Sequence, residues 1–201
     1  GTNTVRAYAV DTSGNLSVTS SVSVVYVVSD RLLVQAVGQG TLSPNYSNTV
    51  LEIGKNYSMT ATAVNGHVFT NWMISTNWED GVTTNNATVK FMMQSNLTLQ
   101  VTFADVTKPT NTITAPTAGQ RWSNSVFTVA GTARDNVQVP NVFYQLNGSD
   151  WTNASSGNGW TNWGATNVTL LPGTNTVRAY ALDTSGNLSV TSSVSVVYVV
   201  S

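Results

Sequence analysis

The chain has no cysteine and only one histidine, His67. These absences exclude disulfides, thiolate zinc sites, iron–sulfur clusters, cysteine nucleophiles and any metal site built from several histidines. Charge is also scarce, since 8% of the 201 residues are charged, against about 25% in a typical soluble protein. Lys and Arg total 8 against 9 Asp and Glu, so no basic field exists for phosphates or anionic lipid. We therefore expect no nucleic-acid partner.

The strong helix formers are few, whereas Thr and Val number 30 each and Asn and Ser 22 each. Thr, Val and aromatic residues favour strands, so the composition predicts an all-β fold. No apolar run approaches the ~20 residues of a spanning helix, and we expect no membrane insertion in this segment. The chain begins at Gly1 with no signal peptide or initiator Met, and we expect it to be a piece of a longer protein.

An internal repeat is the clearest feature of the sequence. Residues 1–29 recur as residues 173–201 with a single difference, Val10 against Leu182. The offset, 173 minus 1, is 172 residues, which is too long for one coil of a solenoid. The repeating object is therefore one or more whole domains in series. The chain holds one period plus the end of a preceding copy.

The first part of the period predicts five short antiparallel strands, because apolar and polar residues alternate between turn signals. We place them at 32–37, 57–64, 67–74, 88–92 and 97–103. Asn65-Gly66 fits a two-residue hairpin turn. Phe69, Trp72, Phe91 and Phe103 are expected to form the core.

The second part predicts seven strands, at 112–115, 126–133, 142–146, 151–154, 167–171, 175–181 and 190–199. Seven strands at this spacing fit an immunoglobulin-like β-sandwich. A boundary near Pro109 divides the chain into a small antiparallel module at 29–105 and a sandwich at 106–201. By the repeat, residues 1–28 are the last two strands of a preceding sandwich.

Two family resemblances follow from the order of turns and aromatics. The first module carries Gly40-Thr-Leu-Ser-Pro44, Gly54-Lys-Asn-Tyr57 and Gly66-His-Val-Phe69-Thr-Asn-Trp72, and it resembles the divergent internalin-type B repeat of bacterial surface proteins. The second carries Gly131-Thr-Ala-Arg-Asp135-Asn136 and Asp183-Thr-Ser-Gly186-Asn187, and it resembles bacterial Ig-like domains. The resemblance implies a tandem-repeat protein that is secreted or displayed on the cell surface.

Three aspartates at strand ends, Asp105, Asp135 and Asp183, are the candidate metal ligands. Calcium takes six to eight oxygen ligands, and loops of Asp and Asn supply them. The same residues also stabilise turns by accepting hydrogen bonds from their own backbone, and this structural role is the favoured one. Apart from calcium, no cofactor is expected.

Trp160 and Trp163 lie in a Gly- and Asn-rich loop and are candidate carbohydrate contacts, although packing is the favoured role. His67 is expected to be exposed at the end of a hairpin. Glu79-Asp80 is the only adjacent acidic pair and is read as a solvated loop. An intramolecular isopeptide bond would need a buried lysine. The candidate, Lys90, is expected to face solvent.

Nine Asn-x-Ser/Thr motifs are candidate glycosylation sites, although a chain so rich in Ser and Thr contains many by chance. They are Asn15, Asn45, Asn56, Asn86, Asn96, Asn147, Asn153, Asn167 and Asn187.

Too few titratable groups are present to assemble a catalytic site. The sequence therefore predicts a non-catalytic structural repeat of an extracellular bacterial stalk, filament or adhesin. Its expected partners are neighbouring copies joined head to tail, with strand complementation through residues 1–28 as one route. The alternative is a carbohydrate-binding accessory module of a large secreted enzyme.

Overall fold

The computed structural model describes residues 1–79 and 81–200, and strands are their only regular secondary structure. The all-β prediction is confirmed. No helix long and apolar enough to cross a membrane occurs in these two ranges. Contacts divide the chain into two compact units. The first joins residues 1–63 to 69–103, and the second joins residues 64–68 to the chain from 104 onward.

The first unit opens with a two-stranded ribbon of β1 (Thr2–Ala7) and β2 (Ser20–Val25). The strands are antiparallel, with Thr2 opposite Val25 and Ala7 opposite Ser20. Among the described residues the ribbon pairs with no other strand. Every residue from 1 to 29 is exposed, so the ribbon has a sheet's hydrogen bonds without a core.

The remainder of the first module contains nine short strands. They are β3 (Ser29–Arg31), β4 (Leu33–Val37), β5 (Gly40–Ser43), β6 (Val50–Glu52), β7 (Asn56–Ala63), β8 (His67–Thr76), β9 (Val82–Thr84), β10 (Thr88–Met92) and β11 (Leu97–Asp105). They form three sheets in the orders β10-β7-β5, β4-β11-β8-β9 and β3-β6.

The prediction of five antiparallel strands is wrong in two respects. Strands β4 and β11 pair in parallel, with Leu33 opposite Thr98. Four strands were missed, of which β3, β6 and β9 have only three residues each and are too short to show alternation. Strand β5 looked like a turn because glycine and proline flank it, but Leu42 pairs with Ala61.

The core of the first module surrounds Trp72, which is fully buried with Leu32, Met59, Leu99 and Val101. The Trp72 indole Nε1 donates to the Ala87 carbonyl at 3.1 Å, which satisfies its one polar atom. Of the other predicted core aromatics, Phe91 and Phe103 are buried, and Phe69 is partly buried and packs against them.

The second module is a two-sheet sandwich of eight strands. They are β12 (Thr110–Ala115), β13 (Gln120–Trp122), β14 (Val126–Arg134), β15 (Asn141–Leu146), β16 (Thr152–Asn153), β17 (Trp163–Thr169), β18 (Gly173–Leu182) and β19 (Ser192–Tyr198). The sheets have the orders β12-β14-β17 and β13-β19-β18-β15-β16. One core takes buried valines from both sheets, and the predicted immunoglobulin-like sandwich is confirmed.

Two details of the sandwich were not predicted. Strand β13 has three residues and pairs in parallel with β19, and it was missed. Strand β17 begins at Trp163 rather than at the predicted Asn167. Asn167 has a φ of 58° and lies where the pairing with β14 shifts register. It marks a bulge within the strand, not the start of one.

Glycine is required at position 131 because two neighbours fill the space beside its backbone. A Cβ there would lie 2.3 Å from Trp163 Cζ2 and 2.4 Å from the Thr112 carbonyl oxygen. At Gly164, on the adjacent strand, the nearest atom to a Cβ would be 3.5 Å away. The two glycines are therefore a matched pair for testing the packing.

We expect Gly131→Ala to destabilise the sandwich by about 1–3 kcal/mol, the usual effect of overpacking a core. Gly164→Ala should change its stability by no more than about 0.5 kcal/mol. Amide hydrogen exchange in β14 and β17 measures both effects within this module. Equal protection in the two variants would contradict the packing described.

Candidate functional site

The three aspartates named from the sequence converge within the second unit. Asp105 ends β11, Asp135 follows β14 and Asp183 follows β18. One carboxylate oxygen from each lies within 4.8 Å of the others. Asp183 is 2% exposed and Asp105 8%, whereas Asp135 is partly buried. Loops at one end of the sandwich thus bring together residues that are far apart in sequence.

Asp183 organises the turn after β18. Its Oδ1 accepts hydrogen bonds from the backbone N–H groups of Ser185 at 2.8 Å and Asn187 at 2.7 Å. Its Oδ2 accepts a third from the Asn187 side-chain amide at 2.8 Å. Gly186 completes the turn with a φ of 90°, a conformation that favours glycine.

The exposed ribbon repeats this turn. Asp11 accepts from the N–H groups of Ser13 and Asn15 and from the Asn15 side-chain amide, each at 2.8 Å. Asp11 has no counterpart of Asp105 or Asp135 beside it, so the local sequence alone builds the turn. This favours a structural role for Asp183.

Asp105 joins the turn to the other loops. Its Oδ1 accepts from the Thr107 N–H at 3.0 Å and from the Asn136 amide at 3.2 Å. Burial raises the pKa of Asp105, but the hydrogen bonds from Thr107 and Asn136 and the nearby His67 outweigh burial and hold the pKa below its usual value. Hydrogen bonds that favour the charged form have this effect.

Asp135 is the least satisfied member of the cluster. Its Oδ2 accepts from the Val137 N–H at 2.8 Å, whereas its buried Oδ1 has no hydrogen-bond partner. Within the described residues the one salt bridge joins Lys55 to Glu52, so no lysine or arginine pairs with the cluster. Three convergent carboxylates without a paired lysine or arginine are a donor set that suits calcium. The calcium site stays a prediction.

His67 was expected to be exposed, and this is wrong. It is 9% exposed, and its Nδ1 is buried without a partner. The cause is that the hairpin turn at 64–68 packs against the chain after β11. Gly66 supplies the carbonyl that accepts from Val106 N–H at 2.9 Å and Thr107 Oγ1 at 3.2 Å.

The two candidate carbohydrate contacts do not form a stacking surface. Trp163 is 3% exposed, and its Nε1 donates to Asn111 Oδ1 at 3.0 Å. Trp160 is partly buried and packs against the same core. A sugar ring needs an open aromatic face, and Trp163 offers none, because it packs in the core of the sandwich.

The other residues considered lie on the surface. Lys90 is exposed, as expected, and Glu79 is exposed, while Asp80 lies outside the described residues. Eight of the nine Asn-x-Ser/Thr asparagines are exposed. The ninth, Asn187, is partly buried, and its amide donates to Asp183 and to the Asp105 carbonyl. A glycan on Asn187 would replace one of the two Nδ2 hydrogens and so would break at least one of these hydrogen bonds.

Comparison with known families assigns both modules. Residues 31–107 match the model of the divergent InlB B-repeat domain, and residues 109–179 match that of a bacterial Ig domain. The chain carries these two domains in series. Both resemblances stated from the sequence are confirmed. Bacterial Ig and B-repeat domains are typical of surface or secreted proteins and are generally non-catalytic. No curated protein matches the chain.

Two solved structures are weakly similar to the chain. The fibronectin(III)-like modules of CbhA from Clostridium thermocellum are 14% identical, with a TM-score of 0.42, over 87% of this chain and 94% of that one. A tetra-tandem repeat in the extending region of a large adhesion protein is 16% identical, with a TM-score of 0.38, over 97% and 56%. Both TM-scores lie below 0.5, so neither likeness assigns a fold or a function to the chain.

We expect Asp183→Ala to destabilise the sandwich by about 1–3 kcal/mol, because it removes the acceptor of three hydrogen bonds from a buried turn. Asp11→Ala makes the same change in the exposed ribbon and should leave the sandwich unaffected. Hydrogen exchange in β18 and β19 distinguishes the two. Equal protection in both variants would show that the turn does not support the sandwich.

The calcium prediction has a separate test. If the cluster binds the ion, calcium should raise the unfolding temperature of the chain, because a ligand that binds only the folded state stabilises it. Asp135→Asn should remove this increase, and Asp11→Ala should retain it. An unfolding temperature that does not respond to millimolar calcium would overturn the prediction.

Proposed function

We propose that this chain is a structural repeat unit of an extracellular bacterial stalk, filament or adhesin, and that it provides reach and stiffness without catalysis. The observation that carries the proposal is the duplicated hairpin. Residues 1–29 and 173–201 differ at one position, and β1 pairs with β2 in the register in which β18 pairs with β19. The hairpin before the B-repeat domain is thus a second copy of the one that ends the sandwich.

The short connection after the ribbon supports stiffness. Only residues 26–28 separate β2 from β3, and the Val28 carbonyl accepts from the Ile53 N–H at 2.9 Å. Ser29 then pairs with Glu52 in the sheet of β3 and β6. The chain enters the B-repeat domain through only three residues, of which Tyr26 and Val28 hydrogen-bond to Gly1 and Ile53, so no long flexible linker separates the ribbon from this domain.

The chemistry of the carboxylate cluster supports a non-catalytic role. Hydrogen bonds from turn N–H groups and amides occupy Asp105 and Asp183, and they hold loops in place rather than present a reactive group. The domain types support an extracellular location, since bacterial surface and secreted proteins typically contain them. The chain is rich in hydroxyl and amide side chains and contains only 8 lysines and arginines. Trypsin-like proteases therefore find few cleavage sites on its surface.

The test is to measure length against repeat number. Appending residues 30–201 once or twice to the chain produces arrays with one or two further periods. We expect the maximum dimension from small-angle X-ray scattering to rise by a constant increment per period. A flexible Gly-Ser insert at each new junction, between Val200 and the Ser201 that takes the place of Ser29 in the added copy, is the matched control, and it should reduce the increment. Arrays no longer than this control would contradict a stiff stalk.

A further inference from the structure

A cavity of about 270 Å³ lies in the first module, at one end of the sheet β4-β11-β8-β9. The parallel strands β4 and β11 begin there, and β8 ends there. Five of the residues that line the cavity carry an indole, a carboxylate, a guanidinium and two side-chain amides. They are Trp78, Asp30, Arg31, Asn77 and Asn96, and we call the space between them the Trp78 cavity.

The indole of this cavity stands on an unfavourable backbone. Asn77 has a φ of 54° and Trp78 has a φ of 62°. Asparagine tolerates this left-handed conformation, but a bulky aromatic residue rarely adopts it. Residues held in such conformations cluster at active sites and ligand clamps. A tryptophan at a position that glycine would occupy without strain, and with 42% of its surface exposed, therefore indicates a role for the ring itself.

Buried hydroxyls hold the strained turn in place. The Trp78 N–H donates to Thr98 Oγ1 at 3.3 Å, and the Thr98 and Ser75 hydroxyls share a hydrogen bond of 2.7 Å. Both hydroxyl residues are buried. The Asn77 N–H donates to the Asn96 carbonyl at 3.0 Å. The backbone that carries the indole is thus fixed before a ligand arrives, which lowers the entropic cost of binding.

Backbone groups also fix the two charged side chains. Asp30 Oδ1 accepts from the Arg31 N–H and Oδ2 accepts from the Asn96 N–H, each at 2.8 Å. These two N–H groups, Asn96 first, hold the pKa of Asp30 below its usual value. The Arg31 Nη1 donates to the Asn48 carbonyl at 2.9 Å. Both groups keep capacity for a ligand, because a carboxylate oxygen has two lone pairs and a guanidinium has five N–H donors.

This set of groups suits a neutral sugar. A pyranose has an apolar C–H face that packs on an aromatic ring, and hydroxyls at its edge that both donate and accept hydrogen bonds. Among the lining groups a carboxylate accepts, a guanidinium donates and amides do both. One carboxylate and one guanidinium balance each other, so these five residues do not favour an ionic ligand. The volume lies just below the range of about 300–1,000 Å³ that holds drug-sized molecules, which suits one sugar ring.

We propose that the Trp78 cavity binds a neutral pyranose, with the Trp78 indole stacked on the sugar ring and with Asp30 and Arg31 hydrogen-bonded to its hydroxyls. The site is separate from Trp160 and Trp163, which pack against the core of the sandwich. In a tandem array each period carries one such site, and weak sites in series bind a glycan surface with higher avidity than one alone. This last consequence rests on the proposed function, whereas the site itself does not.

The test follows the tryptophans directly. The chain is produced in a host that does not glycosylate asparagine, because Asn96 is also a candidate glycosylation site. Its six tryptophans are labelled with fluorotryptophan and observed by fluorine NMR while maltotriose, cellotriose or chitotriose is added at millimolar concentration. We expect at least one of these sugars to shift the Trp78 resonance and to leave that of the buried Trp72 unchanged. Sialyllactose should bind no more tightly than lactose, because the cavity has no excess positive charge.

A substitution separates binding from folding. Trp78→Gly removes the ring and relieves the backbone, so it should weaken sugar binding about tenfold or more without lowering the unfolding temperature of the chain. Saturation-transfer NMR on the sugar measures the binding. Trp151→Ala is the matched control, since Trp151 is 39% exposed but lies in the sandwich, and it should keep the affinity. Lost binding with retained stability does not arise from misfolding.

An array tests whether the cavity is open behind a complete sandwich. Appending residues 30–201 once to the chain produces a second copy of the cavity that follows a whole sandwich. We expect the sugar to shift the full intensity of the Trp78 resonance, which then comes from two copies. A shift of half the intensity would show that a preceding sandwich closes the cavity, and it would overturn the proposed site.

Three further results would overturn the inference. A Trp78 resonance that responds to none of the neutral sugars would show that the cavity is not a sugar site. Binding that survives Trp78→Gly would place the sugar elsewhere on the chain. Tighter binding of sialyllactose than of lactose would indicate an anionic ligand instead. None of these results bears on the length of a tandem array, so failure here is distinguishable from failure of the proposed function.

Discussion

A single hairpin has two faces and no interior, so its apolar side is buried only when another sheet covers it. This constraint governs the whole chain. Where β12, β14 and β17 supply the second layer, the valines of β18 and β19 become the centre of a core. Residues 1–29, which by the repeat are the end of a preceding sandwich, form nearly the same hairpin without a covering sheet, and every residue is exposed. An isolated two-stranded hairpin is at best marginally stable in water, so the ribbon's apolar face depends on a partner to be buried.

The turns show the opposite behaviour, because they depend on local sequence alone. Asp11 and Asp183 make the same three hydrogen bonds in surroundings that share nothing else. In the sandwich, the side-chain amide of Asn187 in this turn donates a hydrogen bond to the Asp105 carbonyl. Local chemistry sets the shape of the loop, and tertiary packing decides which other carboxylates it meets.

The repeat, the all-β class and the two domain types could be predicted from the sequence, because each depends on a residue pattern that extends over many positions. The convergence of Asp105, Asp135 and Asp183 was also predictable, since each lies at the end of a strand. The parallel pairing of β4 with β11 was not predictable. Alternation of apolar and polar residues indicates which face of a strand is buried, but not which strand pairs with it. The burial of His67 was missed for a related reason. It lies beside turn residues that predict exposure, and only tertiary contacts cover it.

The position of the duplicated hairpin at the end of its domain has a consequence for synthesis. In the tandem array proposed above, a ribosome completes the strands β12 to β17 before it makes β18 and β19, and by then the hairpin of the preceding copy has already met its own partner strands. Growth from the N-terminus therefore matches each hairpin to the strands just before it. Refolding of a whole denatured array has no such order, and every set of six strands would meet several equivalent hairpins at once. Misassembly between neighbouring domains is a known failure of repeat proteins, and in this chain the direction of translation itself would guard against it.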